Sequence, residues 1–426
     1  MVSYEPLRGM KDYFGEDAEK IRYIEEQFSK IVKKSGYMEA ITPILEEFEL
    51  FALKGGEELR NTMYTFVDKG GREVALRPEF TPSIVRLFLN SMQHLPKPIR
   101  LYYIGTVYRY DEPQFGRYRE FRQAGIEMLG ESSINADLEV LSILWEFFKK
   151  IGLENITIKI NNIAIYRELF SMLKMSEDQE DHLLHLIDKG NKDSVIEYLS
   201  KISEYKILNI IREMLYNSIS KESDFIELIK DLNNEHSKVL ENQISRLFKI
   251  YEILAKLNVP IKIDLSLVRG LAYYTGVIFE VTHPSVSFSI AGGGRYDNLV
   301  QLYGGPSTPS IGFAIGVERV LSVLQNLKIK DNVRKIAIIP LNENVIDYAL
   351  KVLFILHEND IPAILNTKNI SLSKIIPILL DMNVNIAIII GENEKKENKV
   401  SIKDLTTRQQ SSISLNDLLP YIRQII

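Results

Sequence analysis

The sequence predicts an α+β protein, in which an antiparallel-leaning sheet with helices is split by a helical insert and followed by a smaller α/β domain. Three observations carry that prediction. Alternating apolar stretches recur before residue 168 and again after 256. Between those positions the alternation stops, and Leu, Ile, Lys and Glu recur at helical spacing. Beyond 332 strand-like and helix-like segments take turns, the pattern of a largely parallel sheet. The expected domains are therefore 1–167 together with 257–326, the insert 168–256, and the C-terminal domain 332–426.

Taken in order, EDAEKIRYIEEQFSKIVKKS has a helical apolar spacing that Gly36 stops. In MEAITPILEEFELF, Pro43 separates a strand-like start from a helical end, and REVALRPEF alternates as a strand. TPSIVRLFLNSMQ begins a helix at Thr81, with Pro82 early in its first turn. LYYIGTVYRY and EFRQAGIEMLG are two strands joined by the loop DEPQFGRYR, turned by Pro113 and Gly116. ADLEVLSILWEFFKKIG is an amphipathic helix and ITIKINN a strand. After the insert come strands in VPIKIDLSLV, YYTGVIFEVT and SFSIAGGG, then IGFAIGVERVLSVLQ, a strand passing into a helix. LKIKDNVRK reads as a charged linker. The last domain runs KIAIIPL, NVIDYALKVLFILHEND, IPAILN, SLSKIIPILLDMN and VNIAIIIG, closed by the hairpin KVSIKDLTTRQQSSISL and a short helix. Pro377 is expected to disturb its helix.

The chain has 426 residues, more than one ordinary core accommodates. With 45% apolar and 26% charged residues, it has a globular composition. The first twenty residues show no secretory h-region, and no apolar run reaches spanning length, so a cytoplasmic protein without membrane contact is expected. Cysteine is absent, which removes disulfides, thiolate catalysis and cysteine-based zinc sites. A net charge of −5 makes any nucleic-acid contact a local patch.

The informative anomaly is the polar content of the strands. Arg77 and Glu79 sit in LRPEFT, Arg109 and Asp111 in YRYDEP, Arg117 and Arg119 in GRYREF, and Gln123 and Glu127 in RQAGIE. Arg269 sits in LVRGLAYY, Arg295 in AGGGRYD and Arg319 in GVERV. Any one of these is compatible with a wet strand face. Together they suggest several arginines facing one cavity, where guanidinium forks match phosphate and carboxylate oxygens. Neither GxxxxGK[ST] nor GxGxxG occurs, and HExxH and GxSxG are missing. His182 and His185 share a helix face inside the insert and read as structural; no metal site is expected. With no nucleophile or zinc centre in view, positioning and charge neutralisation are the expected means of catalysis.

These strings resemble the class II aminoacyl-tRNA synthetases, and within them the histidyl-tRNA synthetase family, over nearly the whole chain. RGMKDYF resembles the family's N-terminal signature, ITPILEEFELF motif 1, VYRYDEPQFGRYREFRQ motif 2 and IGFAIGVERV motif 3; LVRGLAYYTG and AGGGRYD resemble its two histidine-specific signatures. The resemblance implies a class II catalytic sheet with a helical insertion and an anticodon-binding α/β domain. It also implies activation of histidine with ATP to histidyl-adenylate, then transfer to histidine tRNA, with Mg2+ on the phosphates and a homodimeric chain. By the same resemblance, Arg269 and Arg109 are catalytic, meeting the histidine carboxylate and the α-phosphate. Arg117 and Arg319, with Asp111, serve ATP. Glu79, Thr81 and Gln123 hold the α-ammonium, while Glu127, Tyr273 and Tyr274 read the imidazole. An acceptor and a donor matched to the two ring nitrogens would leave a non-bonding ring's partners unpaired, at roughly 1–3 kcal/mol each.

Three departures stand out: Asp111 where motif 2 commonly has Glu, Ala272 where many relatives carry Asp, and a helix SLSKIIPILLDMN without the basic and glutamine positions expected for anticodon contact. The rival reading is a histidine-sensing regulatory subunit of ATP phosphoribosyltransferase. Arg269, Arg319 and a full C-terminal domain argue against it. A non-catalytic α/β binding protein would make six matching strings accidental.

Overall fold

The computed structural model describes residues 4–53, 61–203, 205–217, 219, 221–232, 234–269, 273–324 and 335–425. The expected linker in LKIKDNVRK falls almost wholly outside them, as does Ala272. The chain forms two compact units, Met1–Leu327 and Lys328–Ile426.

The strands of the first unit, in chain order, are β1 (Met38–Glu39), β2 (Leu45–Glu47), β3 (Thr65–Val67), β4 (Glu73–Leu76), β5 (Ile99–Tyr108), β6 (Glu120–Leu129), β7 (Thr157–Asn162), β8 (Ile261–Ile263), β9 (Val277–Thr282), β10 (Ala291–Arg295) and β11 (Ser310–Gly316). Eight of them make one sheet in the order β1-β5-β6-β11-β10-β9-β7-β8, and β2, β4 and β3 make a small one. The long hairpin β5–β6 and the pairs β6–β11, β11–β10, β10–β9 and β9–β7 are antiparallel; only the outer pairs β1–β5 and β7–β8 are parallel. Alternation then separates two faces. On β11, Ile311, Phe313 and Ile315 are buried in the core, which also takes in the helices Glu16–Lys34 and Ile134–Lys150. Phe28 meets Phe147 and Phe313 edge-on at 5.5 and 6.1 Å. The opposite face of β11 carries the small residues Ser310, Gly312, Ala314 and Gly316.

The strand expected over VPIKIDLSLV is shorter than its alternation suggests and ends at Ile263. Asp264 then turns the chain, its Oδ1 accepting from the Ser266 amide at 3.2 Å and hydroxyl at 2.8 Å. Such local side-chain bonds compete with the ladder and release the chain from the sheet. Arg269 therefore stands on a loop. Residues between β7 and β8 form the helices Ile163–Met172, Glu177–Asp188, Lys192–Ser200, Tyr205–Tyr216, Glu222–Ile229 and Asn234–Lys256.

The second unit contains β12 (Lys335–Pro340), β13 (Ala363–Leu365), β14 (Val384–Ile390), β15 (Lys399–Asp404) and β16 (Gln410–Ser414), ordered β13-β12-β14-β15-β16. The first three are parallel and the last two form the expected hairpin. Ile336 and Ile338 pack with Val352 and Leu356 of the helix Ile346–His357, while Ala337 and Ile339 pack with Ile375 and Leu379 of Leu372–Asp381. Contrary to expectation, that second helix runs through Pro377. Proline removes one backbone donor, and the burial of Ile375 and Leu379 holds the turn together.

Candidate active site

The pocket lies over the small-residue face of the large sheet. Register brings its floor together: Gln123, Gly125 and Glu127 of β6 oppose Gly316, Ala314 and Gly312 of β11, Ala314 opposes Gly292 of β10, and Gly125 opposes Tyr103 of β5. Opposed residues share a face, so these side chains all rise from one surface. Glu79 and Thr81, where β4 gives way to the helix Thr81–Ser91, and the segment carrying Arg269, Tyr273 and Tyr274 form the walls.

Glu127 is 1% exposed and surrounded by hydroxyls. Its Oε1 accepts from Thr81 Oγ1 at 2.7 Å and Tyr103 Oη at 3.2 Å, and its Oε2 accepts from Tyr296 Oη. A carboxylate has about four acceptor sites, so roughly one remains open, on Oε2. Burial pushes its carboxyl up to about 7, against the pull of these hydroxyls. Glu79 Oε2 accepts from Tyr273 Oη at 2.8 Å. Burial raises its carboxyl too, while Arg109, the Tyr273 hydroxyl and Arg269 pull it down. The Tyr274 phenol is pushed up to about 12, first by burial, with Arg269 opposing. Gln123 Oε1 is buried without a partner. One carbonyl oxygen and two carboxylates thus await donors in one small space.

The arginines divide into two kinds. Arg109, Arg269 and Arg319 line the pocket. Arg109 Nε donates to Pro78 O at 2.9 Å and its guanidinium sits 5.5 Å from the Phe121 ring. Arg319 donates to Gly116 O at 2.8 Å and Ser289 O at 2.9 Å, over the Phe288 ring. Burial, then Arg109, Arg117 and Arg269, lowers its guanidinium to about 10, so it remains charged at neutral pH. A cluster of like charges in a partly buried pocket is an anion site.

Arg77 and Arg295, by contrast, do not face the cavity. Arg77 is tied to Thr42 O, Pro43 O and Thr106 O, and Arg295 to Asp137 and to the carbonyls of Glu131 and Ser133. Arg117 and Asp111 lie on the loop between β5 and β6, outside the pocket lining, although both charges act on Arg319. In that loop the Arg119 amide donates to Gly9 O at 2.7 Å and its Nε to Asp111 O at 3.1 Å. The RGMKDYF segment thus braces the same loop, with Arg8 on Glu112 at 2.8 Å. Of the residues expected at the site, Glu79, Thr81, Arg109, Gln123, Glu127, Arg269, Tyr273, Tyr274 and Arg319 come together. Tyr103, Phe121, Tyr296, Gly292 and Gly312 also line it and were not expected. Tyr296 directly follows the arginine of AGGGRYD, a string whose phenol was as visible as its guanidinium.

Residues 9–320 match the family model described as histidyl-tRNA synthetase, and residues 335–425 the one described as anticodon binding domain. The chain is 54% identical over 429 residues to the histidine–tRNA ligase of Sulfurisphaera tokodaii, covering 100% of both chains. It is 53% identical over 421 residues to that of Sulfolobus acidocaldarius, covering 98% of both. Among solved structures, apo histidyl-tRNA synthetase of S. aureus superposes with a TM-score of 0.75 at 28% identity, covering 99% of this chain and 100% of that one. The Nostoc histidyl-tRNA synthetase has a TM-score of 0.79 at 23% identity with both chains fully covered, a likeness of fold.

Proposed function

This chain belongs to the histidyl-tRNA synthetase family, and from that premise we infer how its pocket joins histidine to ATP. The protein activates histidine as histidyl-adenylate and transfers it to histidine tRNA. The observation that carries the assignment of residues is the meeting of three arginines with two enclosed carboxylates over one sheet face.

Arg269 and Arg109 take the catalytic part. Arg269 holds the histidine carboxylate against the α-phosphate, Arg109 meets the α-phosphate from the other wall, and fixed guanidiniums neutralise the charge that develops there. Arg319, over the Phe288 ring, serves the nucleotide, with Arg117 and Asp111 reaching it from the loop. Glu79, Thr81 and Gln123 receive the α-ammonium; the unpartnered Gln123 Oε1 supports this. The open site on Glu127 Oε2 accepts one imidazole N–H, with Tyr273 and Tyr274 completing the ring contacts. Tyr273 is bonded to Glu79, so its share includes orienting that carboxylate.

Magnesium would come with the nucleotide. Among the described residues no three His, Asp or Glu gather as a metal site, and Mg2+ takes phosphates and waters readily, so it would sit on ATP rather than on the chain. The C-terminal unit would take the anticodon and the inserted helices, 168–256, the acceptor side of the tRNA; the catalytic parts are 1–167 and 257–326, and the last domain 332–426. The exposed Met38, Ile41, Ile44 and Leu45 around β1 and β2 suit a homodimer, checked by the mass in sedimentation. The cytoplasm is the proposed location; among the described residues no helix is long and apolar enough to cross a membrane.

The deciding experiment is exchange of pyrophosphate into ATP. It should depend on histidine, and the protein should charge only histidine tRNA. Tight histidine binding without exchange would favour the regulatory-subunit reading instead.

A further inference from the structure

The run Gly292-Gly293-Gly294 on β10 contains glycines of two kinds. A Cβ on Gly293 would lie 2.1 Å from Gly312 O, and one on Gly294 2.7 Å from Val277 O. Those two glycines let neighbouring backbones approach. Gly292 is different: the three atoms nearest to a Cβ there are Nη1, Cζ and Nη2 of Arg269, at 1.8, 2.4 and 2.7 Å. Its backbone is ordinary strand, paired with Glu280 and Ala314, and it is not among the glycines of positive φ. No torsional demand therefore explains the missing side chain.

Arg269 has few other direct partners. Its Nε is buried without a partner, its Nη1 reaches Phe279 O only at 3.5 Å, and it shares a side-chain hydrogen bond with Tyr274. A guanidinium so lightly tethered is placed mainly by the surface beneath it.

We propose that Gly292 is a positioning residue for Arg269: the gap left by its missing Cβ is the seat that holds the guanidinium in the pocket. The inference rests on the reading of Arg269 given above. An added methyl occupies the seat and displaces the guanidinium, and a misplacement near 1 Å costs roughly 100-fold in rate. Only the end of a flexible side chain has to move, so the fold survives.

The test compares wild type, Gly292→Ala, Arg269→Ala and the double variant, by histidine-dependent pyrophosphate exchange and thermal midpoint. Gly292→Ala should lose roughly 100-fold in kcat, with a smaller change in KM for histidine and a midpoint near wild type. The double variant should be no slower than Arg269→Ala, because Gly292 acts only through that side chain. Gly292→Ala within threefold of wild type, or losses that multiply in the double variant, would overturn the proposal while leaving Arg269 its role. Near-normal exchange by Arg269→Ala would remove that role and the proposal together. If Gly292→Ala fails to fold, recovery of folding in the double variant supports the seat, and failure of both rejects it.

Discussion

Arg295 ends β10 and Arg269 lies against that strand, and the two are held oppositely. Arg295 is tied down on all three nitrogens: Nε to Asp137 at 2.5 Å, Nη1 to Glu131 O at 3.0 Å and to Asp297, Nη2 to Ser133 O at 2.9 Å. Arg269 has an unpartnered Nε, one long contact to Phe279 O and a hydrogen bond shared with Tyr274. A guanidinium whose donors are consumed by the protein has nothing left for a ligand. One with donors to spare, beside a pocket, is costly unless something arrives to take them. Spare bonding capacity thus separates a pillar from a tool where sequence strings look alike.

The comparison breaks most visibly at Arg269. Arg269→Ala should cut pyrophosphate exchange roughly a thousandfold and leave the melting temperature almost unchanged. A large fall in melting temperature would make it a pillar as well. Arg295→Ala should do the reverse, costing about 3–5 kcal/mol in denaturant unfolding by uncovering the buried Asp137, with histidine KM little altered in the fraction that folds. Stability close to wild type would show that Arg246 alone satisfies Asp137.

The smallest effect concerns pH. Glu127 holds its proton more tightly folded, at about 7, than at the ordinary 4.5. Its contribution to stability is therefore full below 4.5 and lost as pH rises through 7. Glu127→Gln carries no such loss. The melting temperature of wild type relative to that variant should decline from pH 5 to pH 8, by up to roughly 3 kcal/mol in free energy. A flat difference would mean that Thr81, Tyr103 and Tyr296 keep the carboxylate ionised throughout.

Periodicity made the layered order of strands and helices legible, because alternation on β5, β6 and β11 reports two unlike faces. It could not report register. Glu127 meets Gly312 across β6 and β11, and Tyr103 meets Gly125 across β5 and β6, which are facts of pairing between distant segments. Tyr103 and Tyr296 were therefore missed, although each string was in view. The same blindness grouped Arg77 and Arg295 with the pocket arginines, since the carbonyls that consume them belong to segments about 30 and 160 residues away. The strand through VPIKIDLSLV failed for a local reason, the turn that Asp264 makes with Ser266. The site residues carried by family resemblance mostly meet in one cavity; Asp111 and Arg117, on a loop braced from the N-terminal segment, do not.

Asp137 has one further bearing. Its second oxygen accepts Arg246 at 2.5 Å, so a single enclosed carboxylate joins β10 to the middle of the helix Asn234–Lys256. That helix is bolted to the pocket floor as a mast is stepped in a hull. A change that unpairs Asp137 would therefore loosen that helix and β10 together.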